Sequence, residues 1–117
     1  MKTTDKQREY FKSRLDYWCK KVCPSIQPRL SKSNTSAEAI AEVVTDLACG
    51  CAFVDLDHNA GDVDLKELDK TACHEMAHAM LAPMVVHLES VYNRDYVLSI
   101  VHAIIYPLIH TLLEGDK

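Results

Sequence analysis

A chain of 117 residues with 48% hydrophobic side chains, three glycines and four prolines is enough for one domain with a modest core, and it is too apolar for a disordered tail, a linker or a fibrous repeat. Thirteen basic groups against 17 acidic ones leave a formal charge of -4. That balance argues against a general nucleic-acid binder, because phosphate recognition needs a basic field. No run approaches the roughly 20 apolar residues of a membrane span, and the charged opening segment lacks the apolar middle of a signal peptide. The expectation is a cytoplasmic protein with no membrane partner. Five cysteines fit the same compartment: an odd number leaves at least one unpaired, and reducing surroundings disfavour disulfides. Cys19 and Cys23 lie four apart and Cys49 and Cys51 flank Gly50, so neither pair has the two-residue gap of a zinc knuckle.

Residues 3–22 read as an amphipathic helix, with Tyr10, Phe11, Arg14, Leu15, Trp18 and Val22 on one stripe and Pro24 and Pro28 beyond its end. Residues 24–36 hold a short extended piece around Ile26–Leu30, followed by a polar loop. Residues 37–57 are ambiguous. Ile40, Val43, Val44 and Leu47 fit one face of a helix, while the β-branched residues and the alternation from Phe53 onward fit two strands around a turn at Cys49-Gly50. Residues 55–64 imitate a calcium loop, but Ala60 stands where its glycine belongs and Lys66 where its bidentate glutamate belongs, so they read as an exposed acidic turn. Asp64, with Glu67 three residues on, has capping-box spacing and opens a second helix that Pro83 would kink or stop. A turn near Tyr92-Asn93-Arg94 leads to a last helix, about Asp95 to Leu113, with Pro107 inside it.

The chemistry lies in His74-Glu75-Met76-Ala77-His78, an HExxH motif. On a helix, residues four apart stack on one face, so both imidazoles can aim at one Zn²⁺. Glu75, about 100° around the axis, can accept a proton from an activated water instead of binding the metal. From Thr71 to Val86 nearly every other residue is apolar, so the helix reads as buried on most sides, where unpaired imidazoles and a carboxylate carry a desolvation cost. A catalytic zinc needs a third ligand. The glycine and third histidine of the metzincin pattern would fall on Leu81 and Met84, so that spacing fails. Glu89, Asp95, His102 and His110 are the remaining candidates. Asp95 and His102 lie about 10 Å apart along a helix axis, so only one of them can bind the ion. His102 is preferred, for its apolar neighbours and its affinity for zinc, and Asp95 remains open as a ligand or as the partner that orients one. Tyr92, Tyr96 and Tyr106 are possible oxyanion donors, none assigned, and His58 and His87 read as surface residues.

With these residues in view, the chain resembles the small HExxH metallopeptidases encoded in phage and prophage genomes, a minimal gluzincin-like family. Residues 74–84, HEMAHAMLAPM, carry the motif and the Leu-Ala-Pro that follows it, and residues 97–108, VLSIVHAIIYPL, resemble the later helix. The resemblance implies an α+β fold: an N-terminal helix, a two- or three-stranded sheet with AIAEVVTD and CAFVDLD as a strand pair, the HExxH helix and a C-terminal helix. It also implies zinc and hydrolysis for His74, Glu75 and His78, with phage origin placing the protein in a host's cytoplasm. Arg94-Asp95 stands where the family often has an acidic pair, so the third ligand stays open.

The expected function is therefore zinc-dependent hydrolysis of peptide bonds in a peptide or protein substrate, which a sheet edge beside the HExxH helix would hold by strand addition. Two alternatives accompany it: a non-catalytic zinc-binding accessory protein on the same scaffold, and a metal-free helical adaptor.

Overall fold

The first helix, α1 (Asp5–Val22), begins at Thr4. The Thr4 hydroxyl accepts from the Gln7 amide at 3.1 Å and the Gln7 side chain accepts from the Thr4 amide at 2.8 Å, a reciprocal cap that satisfies two of the helix's orphan donors. The computed structural model describes residues 1–31 and 39–116. The polar loop expected up to residue 36 lies outside the described residues from position 32 onward. After α1 come β1 (Gln27–Ser31), β2 (Ala41–Asp46), β3 (Cys51–Leu56), α2 (Leu65–Glu89) and α3 (Arg94–Gly115). The fold is α+β, as expected from the sequence.

The ambiguous stretch is a β-hairpin over its described part. Positions 41–46 pair antiparallel with 51–56, with Val43 opposite Val54. Gly50 turns the chain at φ +69°, a conformation costly for any residue with a Cβ. β1 then adds to β3 in parallel, with Leu30 beside Val54, so the order is β1-β3-β2. Alternation decides the faces. Ala52, Val54 and Leu56 are fully or almost fully buried, whereas Phe53 and Val44 face outward. The helices cover the inner face: α1 lies along β1, α2 along β2, and the two helices pack on each other.

The core runs between that face and the buried stripe Phe11, Leu15, Trp18 and Cys19 of α1, with Leu68, Ala72, Met76 and Ala79 of α2 on the far side. α3 packs on α2 through Val97, Val101, Ile105 and Ile109. By length and composition α3 is apolar enough to cross a bilayer, which corrects the reading that no segment approaches that limit. Its buried row is set against α2, while Ile104 and Tyr106 are exposed to solvent.

Three further expectations change. α2 runs on through Pro83 to Glu89, so the proline does not stop it, and its ring lies on the exposed side of a helix whose Leu81, Met84, Val85 and Leu88 still touch the core. Fully buried positions end at Ala79, and Pro83 and Val86 are exposed, so α2 is not buried on most sides up to Val86. The acidic turn is mostly exposed, but its Ala60 is buried. There the N-terminal arm closes over the turn: Gly61 donates to the Met1 carbonyl and Gln7 Nε2 donates to the Ala60 and Val63 carbonyls. A Cβ on Gly61 would lie 2.3 Å from the Lys2 carbonyl oxygen, which requires glycine there.

All five thiols are free, and Cys49 is the exposed one. Burial pushes the Cys23 thiol up to about 12. The Cys49 thiol is raised chiefly by its hydrogen bond with Cys51. Because the thiolate is the nucleophile, iodoacetamide should label the native protein at Cys49 first, slowly at neutral pH and faster as pH rises. Peptide mapping by mass spectrometry checks this, and early labelling at Cys23 or Cys73 would contradict the packing described.

Candidate metal centre

Asp64 starts the helix that carries the motif, its carboxylate accepting from the Glu67 amide at 2.8 Å. Leu68, Ala72, Met76 and Ala79 then anchor one side of α2. That rotation leaves His74 and His78 half-buried toward β2 and α3, with Glu75 buried between the helix and the strand at 6% exposure.

The α2–α3 hairpin supplies the third imidazole. His78 and His102 each lie twelve residues from Ser90, at the turn, and His74 and Tyr106 each lie sixteen from it. An antiparallel hairpin sets equidistant residues opposite each other, and the ring centroids follow that rule: 5.1 Å for His78–His102 and 5.9 Å for His74–Tyr106. The Nε2 atoms of His74 and His78 are 3.0 Å apart. One ligand atom from each of His74, His78 and His102 falls within 4.8 Å of the others. Nitrogens bound tetrahedrally to one zinc at about 2.0–2.1 Å would be about 3.3 Å apart, so the three rings fit a zinc ion after small rotations. All three are half-buried, so solvent reaches the cluster.

The electrostatics suit a cation. Burial, then the charges of His102 and Lys70, lowers the pKa of His74. Burial, with His74 and His102 beside it, holds His78 down to about 4. Both rings are therefore neutral at pH 7, the form that ligates. Burial, then the neighbouring Glu42, pushes Glu75 up to about 8. The Glu75 carboxyl has no hydrogen-bond partner among the described residues and lines the open cleft beside the histidines, where a nearby cation would favour its ionised form.

Of the residues named from sequence, His74, Glu75, His78 and His102 come together. Asp95 does not join them. It is exposed in the first turn of α3, too far along the axis from His102, and its carboxylate bonds to none of the histidines among the described residues. Glu89 and His110 are likewise exposed and outside the cluster. The Tyr106 ring stacks on His102, with the two ring centres 5.4 Å apart and the planes 12° from parallel. Spacing contained that contact, since Tyr106 follows His102 by one helical turn. His58 and His87 are exposed, as read from sequence.

An open cleft of about 480 Å³ runs from the cluster along β2, lined by Ala41–Val44, Glu75, Arg94 and Leu98. β2 is an edge strand and β3 the central one. Asp57 donates to the Ile40 carbonyl at 2.9 Å, so by antiparallel alternation the backbone groups of Ala41, Val43 and Thr45 face away from β3. Among the described residues no strand pairs with that outer edge. No family model, curated relative or solved structure matches this chain.

Proposed function

We propose that this chain is a minimal zinc-dependent hydrolase of peptide bonds, of the phage and prophage HExxH type that its sequence resembles. The observation that carries the reading is a buried Glu75, without a hydrogen-bond partner among the described residues, beside three converging imidazoles. His74, His78 and His102 would hold the ion. Bound Zn²⁺ supplies Lewis acidity that brings the pKa of a water toward 7. Glu75 would take a proton from the attacking water and later return it to the leaving amine. The outward amides and carbonyls of Ala41, Val43 and Thr45 pair with an extended peptide and align it. Five free cysteines support a reducing, cytoplasmic setting.

A non-catalytic zinc-binding interaction protein is the second reading, favoured by exposed Val86, Val91, Tyr92 and Tyr96 around the tip of the α2–α3 hairpin, since grouped exposed apolar side chains mark interaction surfaces. Zinc-loaded protein incubated with a mixed peptide pool separates the two. New termini made by wild type and absent with Glu75→Gln support hydrolysis. No cleavage by wild type removes the enzyme reading and leaves the zinc scaffold.

A further inference from the structure

The cleft beside the histidines is charged unevenly. Arg94, Leu98 and His102 follow one another at four-residue intervals along α3 and all line it, so Arg94 lies about 12 Å from His102 along the helix axis. Arg94 has no ion pair and no side-chain hydrogen bond with any described residue. At the opposite end, Ile40 and Ala41 meet Lys70 and Glu67 beside His74. The acidic residue of the β2 wall, Glu42, sits close enough to Glu75 to raise its pKa. An arginine left unpaired at the end of a cleft presents a planar fork of donors that matches a carboxylate.

Resting on the reading of the histidine cluster as the reacting site, we propose that the substrates are peptides bearing a carboxylate, which Arg94 holds three to four residues from the bond that is cut. That spacing is the roughly 12 Å axial separation divided by about 3.3 Å per residue of extended chain. Two sources of carboxylate fit, and strand polarity distinguishes them. Val43 and Val44 lie at the Arg94 end of the cleft and Ile40 and Ala41 at the Lys70 end. A peptide antiparallel to β2 therefore brings an Asp or Glu side chain upstream of the cut bond to Arg94. A parallel one brings its free C-terminal carboxylate.

The test uses the full chain with Glu75→Gln, loaded with zinc so that nothing is turned over, and dye-labelled alanine hexapeptides as probes. One set is C-terminally amidated with a single Glu at each position in turn, and the other compares the all-alanine acid with its amide. Fluorescence anisotropy should show one carboxylate peptide binding roughly three- to tenfold more tightly than the neutral peptide. Arg94→Gln should abolish that preference and Arg94→Lys should keep part of it. Either the Glu scan or the acid–amide pair names the source. Equal binding of neutral and acidic peptides, no binding of any, or a preference that survives Arg94→Gln overturns the proposal. Zinc content measured on the same samples keeps the two claims apart: an Arg94-dependent preference without bound zinc overturns the metal reading alone, and stoichiometric zinc without the preference overturns this one alone.

Discussion

Glu75→Gln is expected to lower peptide hydrolysis by roughly two to four orders of magnitude while zinc content stays at the wild-type level. The amide keeps the volume of the carboxyl in a site with 6% exposure, so packing is preserved and the ability to take a proton is lost. Because Glu75 bonds to none of the described side chains, its replacement strands no partner, and thermal stability should hold or rise slightly as a buried ionisable group disappears. Progress curves on any peptide cut by wild type, with metal analysis of both proteins, check this. A variant that retains more than about a tenth of the wild-type rate would show that another group moves the proton.

The second large effect is on stability. Asp69 on α2 accepts from Trp18 Nε1 at 2.8 Å and from Arg14 Nε at 2.6 Å with one carboxylate oxygen. Trp18 is fully buried, so shortening Asp69 removes the acceptor that its indole N–H has in the fold. Arg14 continues to Asp116 at 3.4 Å, which also accepts from Lys21 and from the Tyr17 hydroxyl. This network fastens α1 to the start of α2 and the end of α3, the two helices that bring the histidines together. Asp69→Ala should cost about 2–3 kcal/mol, mostly for the stranded indole donor and the rest for a partly screened ion pair. Out of roughly 5–15 kcal/mol for a domain, that is a large share. Urea denaturation measures it, and Trp18→Phe combined with Asp69→Ala should recover part of the loss because no donor is then left unpaired. A change below about 0.5 kcal/mol would mean that the network is replaced by solvent at no cost.

The helices were legible because their apolar residues repeat at helical spacing and, for α2, because Asp64 stands at its start as a cap; the caps Thr4 and Asn93 came only with the structure. The first strand of the hairpin, β2, was not decidable from periodicity, since Ile40, Val43, Val44 and Leu47 satisfy a helix as well. What decides it is non-local: β3 is held between an antiparallel neighbour and the parallel β1, more than twenty residues upstream. Pro83 looked like a breaker because the local rule ignores how much helix stands on either side of it. His74, Glu75 and His78 follow from a motif within one turn of helix. The choice between His102 and Asp95 depended on the register of the α2–α3 hairpin, which symmetry about Ser90 supplies once the turn is located. Arg94 carried no signal in the sequence beyond its departure from an acidic pair, and its place in the cleft emerges only when α3 is set against β2.

The central claim is that three imidazoles from two helices hold one zinc ion. Zinc stoichiometry after loading and desalting, measured for wild type, His74→Ala, His102→Ala and Asp95→Ala with folding checked by circular dichroism, tests it most directly. The expected result is about one equivalent in wild type and in Asp95→Ala, and below about 0.2 equivalents in both histidine variants. Folded wild-type protein that retains no zinc, or zinc lost on Asp95→Ala and kept on His102→Ala, would contradict it.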